Sequence, residues 1–456
     1  MKTSSHLVLL FLAAVVVASP AAAQTQATLE TITGKLESLE RQNADLLEQV
    51  KMLRREVESL KVSPEGAARV EALEEQLELQ GGRLAEQAQI KVESSQRVPL
   101  RLTGMALFNW FTNTRHGGST DNPTIASIAS GRSNSGATLR QSVVGLEFHG
   151  PEAILGGQFR GSVLMDLFGG SSEVLNQQVR LRTASIEGQW RTRGFLVGQD
   201  KPIFFPREPN SLAQVAVSPL TAAGNLWRWR PQARFEQRLS LGPAQQIRLR
   251  VGVSQTSEES AQIASQFLPT LEPKRPALEG HFQFSRRLDD RRRIEIAPGF
   301  HWSATHVVGL SVPSRVFSLD WFFNPHVRVE FTGAYFNGEN LAKLGAGGVR
   351  QGFTIVGARP GEFRVNPVRS RGGWTQITYL VTPRLSFNLY GGQDDPHNRD
   401  LAPGGIVKNL AYAFNLFYRL APNVVVGGEF SQVRTQFLSG QRPRNNHYDL
   451  AVAYLF

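Results

Sequence analysis

From about Arg97 to its last residue the chain alternates apolar and polar residues, in stretches of roughly ten residues of the length that crosses a membrane as a strand. Gly, Pro, Asn and Asp separate the stretches. Side chains of an extended strand point to two faces in turn, so each stretch has one apolar face and one polar face. In Gln245–Ser254, the residues Ile247, Leu249, Val251 and Val253 share one face, and Arg248, Arg250, Gly252 and Ser254 share the other. Leu410, Tyr412, Phe414, Leu416 and Tyr418 repeat the design, as do Tyr448, Leu450, Val452, Tyr454 and Phe456 at the end. Alternation by itself also suits a secreted soluble sandwich with one dry face. The apolar faces, however, are continuous and end in aromatics, as lipid-facing strands with aromatic girdles do. The opposite faces carry Arg, Asn, Asp and Glu, which suits a wet lumen better than a packed core.

The connections fix the topology. Asn324-Pro325-His326, Thr382-Pro383-Arg384 and Ala421-Pro422-Asn423 are short turns, each leading into an alternating strand. Others fall at Gly150-Pro151-Glu152, Leu241-Gly242-Pro243 and Leu288-Asp289-Asp290. Long polar stretches lie between them, near 113–135, 255–276, 338–371 and 392–405. Short turns at one end and long loops at the other is the outer-membrane pattern. Strands placed by this rule include 98–112, 137–149, 154–168, 177–188, 189–199, 225–236, 245–254 and 277–286, and continue to 447–456, sixteen in all. An alternating piece near 350–358 is assigned to a loop, because single-chain bacterial barrels have even strand counts. The expected fold is therefore an all-β transmembrane barrel of 16 antiparallel strands over 97–456. A barrel of 16 to 18 strands leaves an aqueous channel.

The segment before residue 97 reads differently. Lys2 and the apolar run Leu7–Ser19, broken by Pro20 and followed by Ala21-Ala22-Ala23, form a signal peptide over 1–23, with Gln24 as the expected first mature residue. An uncleaved anchor is the alternative. Residues 24–96 then carry a heptad seam through Leu29, Ile32, Leu36, Leu39, Leu46, Val50, Leu53, Val57 and Leu60, with Asn43 at an a position. Such a stripe needs a partner, so a periplasmic α-helical coiled-coil stalk is expected, with Asn43 fixing its register. Val at a and Leu at d lean toward a dimer. The stalk could also tether the barrel to peptidoglycan.

Charge is unevenly shared. Residues 24–96 hold 9 basic and 14 acidic side chains; residues 97–456 hold 40 and 25. An outer-membrane wall makes nucleic acid a poor partner for this excess, and a lumen that concentrates small anionic solutes a good one. The barrel segment has 36 Arg and 4 Lys, against 5 and 4 in the stalk. This favours the planar fork that grips carboxylate or phosphate with two hydrogen bonds. Alternation turns Arg180, Arg182, Arg228, Arg230, Arg248 and Arg250 inward, the last two pairs on neighbouring strands and so able to form a basic ladder. Asp166, Glu236, Glu330 and Asp449 are lumen acids that would pair with some of these cations. The third long loop, 200–224, contains Ile203-Phe204-Phe205 and is too apolar for a solvated tip. Folded into the lumen, it would make Lys201, Arg207 and Glu208 constriction charges; packing against a neighbouring subunit is the other reading.

No other chemistry competes. The chain has no Cys, which removes disulfides, thiolate metal sites and cysteine nucleophiles. Its His residues are scattered and no nucleophile motif accompanies them, so neither an enzyme nor a bound cofactor or metal is expected. Tyr454 and Phe456 place aromatics at the end of the last strand, resembling the sorting signal read by the barrel-assembly machinery.

The chain as a whole resembles the DcaP-like trimeric outer-membrane porins. The stretches that carry the resemblance are Leu29–Leu60, Leu102-Thr103-Gly104-Met105-Ala106-Leu107-Phe108, Ser142-Val143-Val144-Gly145-Leu146-Glu147-Phe148 and Leu181-Arg182-Thr183-Ala184. The resemblance implies a homotrimer in the outer membrane of a Gram-negative-type bacterium, a periplasmic coiled coil, and a pore for small negatively charged solutes, notably dicarboxylates. The phosphate-selective porins, which also have basic lumens, are the rival for substrate.

Overall fold

The first strand pairs with the last and closes the sheet into a ring. The computed structural model describes residues 100–456, except 116–118, 130, 154–155, 171–176, 259–262, 274–275, 358 and 360, together with Glu48, Lys51, Met52 and Arg55. The expected signal peptide and most of the heptad seam, Asn43 included, lie outside the described residues.

Sixteen antiparallel strands make the barrel. They are β1 (Leu100–Asn113), β2 (Val143–Ala153), β3 (Gly157–Gly169), β4 (Gln178–Gln189), β5 (Arg193–Asp200), β6 (Arg230–Gly242), β7 (Gln245–Ser254) and β8 (Ala277–Arg287). The second half comprises β9 (Arg293–Val307), β10 (Leu310–His326), β11 (Val329–Glu339), β12 (Arg369–Thr382), β13 (Leu385–Pro396), β14 (Ile406–Ala421), β15 (Val424–Phe437) and β16 (Arg444–Leu455). Each pairs with its neighbours in sequence, and β1 pairs with both β2 and β16. Closure leaves no open edge, the condition for a sheet in lipid. The piece Asn134–Thr138 extends the pairing of β1 beyond the start of β2. The stretch near 350–358 forms half of a small hairpin, Phe353–Val356 with Arg364–Pro367, in a sheet of its own.

The two faces follow the alternation. Leu107, Asn109 and Phe111 of β1 are buried while Phe108 and Trp110 between them are 45% and 57% exposed. In β16, Ala451 and Ala453 point inward and Leu450, Val452 and Tyr454 outward. An apolar band that encircles a barrel is intelligible only against lipid.

Several loops turn inward; in the connection between β1 and β2, Ala126 joins the central apolar cluster and the Thr124 carbonyl accepts from Asn409 of β14. Within Asp200–Trp229, the loop between β5 and β6, the side chains of Ile203, Phe204, Phe205, Ala213, Ala216, Leu220 and Leu226 are buried. Phe204, Phe205, Leu220 and Leu226 sit in one cluster with Val316, Phe336 and Trp374 from the wall. Burying each Phe contributes about 1.5–3 kcal/mol, so the loop fills the barrel for the same reason that a core forms. The loop between β11 and β12 adds Leu341, Ala342, Leu344, Ala346 and Val349 from the loop side. Its Gly345 and Gly348 have φ of 116° and 64°, and the Gly345 Cα lies so close to the Trp227 amide that a Cβ would clash.

The largest departure from the expected strands is β6. Its start falls at Arg230, not at 225, and it runs to Gly242. Trp227-Arg228-Trp229-Arg230 alternates as a strand would, yet its first three residues belong to the inward loop. Trp227 and Trp229 do not face lipid: their rings meet edge to face at 5.0 Å, and the Arg182 guanidinium lies 4.6 Å from the Trp229 ring centre.

Candidate functional site

The lumen is organised by the loop 200–229, which makes polar contacts around the wall. Asn109 of β1 donates to the Leu212 carbonyl at 2.8 Å, and Gln141 donates to the Ala213 carbonyl at 2.7 Å. On the far side, Asn415 donates to the Asn210 carbonyl at 2.9 Å and Ser211 donates to Glu429 at 2.6 Å. The Ser318 hydroxyl holds the Phe204 carbonyl at 2.8 Å. A loop with an apolar core and wall contacts on strands from β1 to β15 is fixed across the barrel.

One carboxylate anchors its first leg. Glu279 of β8, fully buried, accepts from the Ile203 amide at 3.0 Å, from Ser254 at 3.1 Å and from Arg230, and lies 2.8 Å from His301 Nδ1. His301 Nε2 in turn lies 2.9 Å from Ser303. A buried charge pair is retained when its remaining hydrogen-bonding capacity is met, and here four groups converge on one carboxylate. Next to it, Asp320 meets His281 Nε2 at 2.7 Å and the Arg207 guanidinium, which also reaches Glu295.

The sequence-predicted residues separate into three groups. Arg180, Arg182 and Asp166 do come together: Arg180 grips Asp166 through Nε at 3.1 Å and Nη2 at 2.7 Å, and Arg182 Nη1 stands 3.9 Å from the same carboxylate. Arg182 occupies a β-bulge, because Leu164 pairs with Thr183 and Met165 with Leu181. A bulge re-aims one side chain, here onto Trp229 and into the lumen. Its Nε and Nη1 donate to no acceptor among the described residues. Lys201 pairs with Glu208, and Glu208 also accepts from Ser218 at 2.7 Å. Burial opposes ionisation of the Glu208 carboxyl, but Lys201 and Ser218 outweigh it and hold it below the usual carboxylate range. Ionisation of Arg207 is likewise opposed by burial, yet Asp320 and Glu295, which accept from its guanidinium, outweigh it and hold the side chain charged.

The expected basic ladder of Arg228, Arg230, Arg248 and Arg250 is not formed. Arg230 lies at the loop-side start of β6, opposite Asp200, only 2% exposed and spent on Glu279. Arg228 is in the loop, 3.5 Å from Ser257. Arg250 and Arg248 sit beside Glu236, at 2.7 and 3.6 Å. Glu236 lies six positions along the strand from Arg230, about 20 Å at 3.3 Å per residue. Of the expected lumen acids, Asp166 and Glu236 pair with arginine, whereas Asp449 accepts from Asn109 at 3.0 Å.

Between the loop and the short turns lie two cavities. The larger, about 890 Å³, is bounded by Arg182, Arg291, Arg328, Arg384 and Arg419, with Glu208 as its one acidic side chain. The smaller, about 630 Å³, is bounded by Arg207, Arg248, Arg250, Arg287 and Arg291–Arg293, against Asp289, Asp290 and Glu295. Both carry a net positive lining. Arg291, Arg328, Arg384 and Arg419 were not singled out by the sequence reading. Their signal was a basic residue in or beside a short turn, a position read only for its backbone.

No family model matches the chain, and no curated protein matches it. Solved structures do. The outer-membrane channel DcaP of Acinetobacter baumannii superposes with a TM-score of 0.66 at 15% identity, covering 80% of this chain and 99% of that one. The chain has a DcaP-like barrel fold. An anion-selective porin from Comamonas acidovorans follows, with a TM-score of 0.52 at 11% identity over 79% of this chain and 100% of that one. Tyr454 and Phe456 close the DcaP-like barrel at the β1–β16 seam: their rings are stacked 6.5 Å apart on the outer face, and Gly104 exchanges two backbone hydrogen bonds with Phe456.

Proposed function

We propose that the protein is an outer-membrane porin whose lumen draws in small carboxylates, dicarboxylates above all, and lets them pass down their own gradient. The observation that carries this reading is the cavity of about 890 Å³, where five arginines face one glutamate. Low-dielectric walls focus the field of such a lining and raise the local concentration of anions. Arginine forks offer a carboxylate paired hydrogen bonds, and a solute with two carboxylates can pass from one fork to the next. The loop 200–229 narrows the path, so that Arg180, Arg182, Lys201 and Glu208 form the constriction. In this reading Arg230 and Glu279 hold the loop and take no part in selection, while Arg248 and Arg250 line the second, smaller cavity.

The same reading makes the protein a homo-oligomer, a trimer joined through the heptad seam. The acidic stalk 24–96 lies in the periplasm, where it can touch peptidoglycan, and Tyr454 with Phe456 serves as the assembly signal. Liposome swelling over a panel of succinate, acetate, phosphate and neutral sugars of matched size tests the proposal. Succinate entering fastest supports it; a neutral sugar entering as fast as the carboxylates contradicts it. Deleting residues 25–90 is expected to leave the swelling rates unchanged.

A further inference from the structure

The outer wall carries a second basic cluster that the lumen does not use. On β14, β15 and β16, Asn409, Thr435 and Asn445 are buried and point inward. Their neighbours Lys408, Arg434 and Arg444 therefore point outward, toward the loop-side ends of those strands. Arg434 lies directly opposite Arg444. Lys408 pairs with Gln436, two residues along from Arg434. Arg442, exposed, stands in the connection that leads into β16.

Just below the cations is a polar shelf on an aromatic row. The Tyr412 hydroxyl donates to Gln432 at 2.9 Å, and Gln432 donates to Asn446 at 2.6 Å. The Arg434 guanidinium donates to the Tyr412 hydroxyl at 3.1 Å and sits 5.5 Å from that ring's centre. One step further down the strands, Phe430 and Tyr448 pack at 5.2 Å. Aromatic rows mark the boundary of the hydrocarbon in membrane barrels. Cations immediately beyond such a row lie at the depth of lipid headgroups.

What distinguishes this cluster is the lack of a counter-charge. Among the described residues, no carboxylate comes within ion-pair distance of Lys408, Arg434, Arg442 or Arg444. Three arginines elsewhere on the loop-side ends of the strands do have one: Arg315 faces Glu339 at 3.9 Å, Arg369 holds Asp400 at 2.7 Å and Arg371 faces Asp395 at 3.6 Å. Like charges directly opposite each other on neighbouring strands destabilise a sheet. An anion between Arg434 and Arg444 removes that cost, and the two forks can chelate one phosphate.

We propose that Lys408, Arg434 and Arg444 form a binding site for the phosphate groups of a phosphorylated lipid in the loop-side leaflet, with Gln432 and Asn446 meeting its hydroxyls. The acyl chains then run along the Phe430–Tyr448 face. This inference rests on the barrel spanning a membrane and is independent of what the lumen carries.

Native mass spectrometry of the full-length protein in a nonionic detergent tests it, with a bisphosphorylated diglucosamine lipid as probe and its dephosphorylated form as control. The wild type is expected to retain the phosphorylated lipid. The variant K408Q/R434Q/R444Q is expected to bind it about a hundredfold more weakly, at about fivefold per cation. R315Q/R371Q, on the paired part of the wall, is expected to bind as the wild type does. Unheated electrophoretic mobility reports whether the triple variant folds; if it does not, R444Q alone is expected to lose about fivefold. Equal binding by wild type and the folded variant overturns the proposal. So does displacement of the lipid by equimolar inorganic phosphate, which assigns the site to free phosphate. Lipid binding that requires prior dissociation of an oligomer overturns it too, assigning the face to contact between copies. The reversal potential of the triple variant stays at the wild-type value, so an error in the pore reading appears in the current and an error here appears in lipid retention.

Discussion

Changing Glu279 to Gln is expected to release the first leg of the inward loop without opening the barrel. The substitution keeps the shape and removes the charge that four groups share: the Ile203 amide, Ser254, His301 and Arg230. Arg230 would then be a buried cation without its partner, and its Nε and Nη1 already lack acceptors among the described residues. Removing one member of a buried ion pair costs about 3–5 kcal/mol. The barrel's closed ladder of backbone hydrogen bonds does not depend on this carboxylate, so the cost falls on Ile203–Arg207. If it is expressed as local opening, the opened population rises between about a hundredfold and a few thousandfold. Trypsin reads this directly, because Arg207-Glu208 is a cleavable bond that the closed loop shields. The expected result is rapid cleavage after Arg207 in the variant, with unheated electrophoretic mobility unchanged and E272Q as resistant as the wild type. Equal protease resistance in the E279Q variant would refute the anchoring role. Collapse of the whole barrel would refute the separation of loop from wall.

Three further outcomes follow from the same geometry. Arg182→Gln removes one cation from the lining; at about 6 Å in screened water a unit charge is worth about 0.3 kcal/mol, and because it acts oppositely on anions and cations the permeability ratio is expected to shift about threefold toward cations. An unchanged ratio in planar-bilayer recordings would place Arg182 off the path. The Glu208 carboxyl lies below its ordinary value of 4.5, so its contribution to holding the loop is fully present above that value and is lost as the pH falls below it; cleavage after Arg207 by an acid-tolerant protease should rise there, and less so in Glu208→Gln. Removing Phe456 is expected to lower the yield of folded barrel in the outer membrane while refolding into detergent proceeds normally; impaired refolding would make the residue structural and not a signal.

The strand pattern was legible because each face of a barrel strand meets one environment throughout. The apolarity of Ile203-Phe204-Phe205 announced a loop that packs against something, for the same reason: a solvated tip has no use for it; whether the cover was the lumen or a neighbouring subunit was not written there. The same test applied to Leu341–Val349 would have found another inward loop, where small and apolar residues also fill a connection that length alone marked as polar. What alternation could not report was where it stops meaning a strand. Trp227-Arg228-Trp229-Arg230 alternates because each tryptophan meets an aromatic or guanidinium partner inside the barrel, and this shifted the start of β6 by five residues. The fates of the arginines were also hidden. Charge counts set the sign of the lumen, but whether a cation is free depends on carboxylates distant in sequence, as Arg230 and Glu279 show. Arg182 owes its aim to a bulge, a register event with no sequence mark of its own here.

The reversal potential of the purified protein in a planar bilayer, measured across a tenfold gradient of potassium chloride, addresses the positive lumen most directly. Its sign is predicted to show chloride more permeant than potassium. Potassium preference, or a folded barrel that passes no current, would contradict the account.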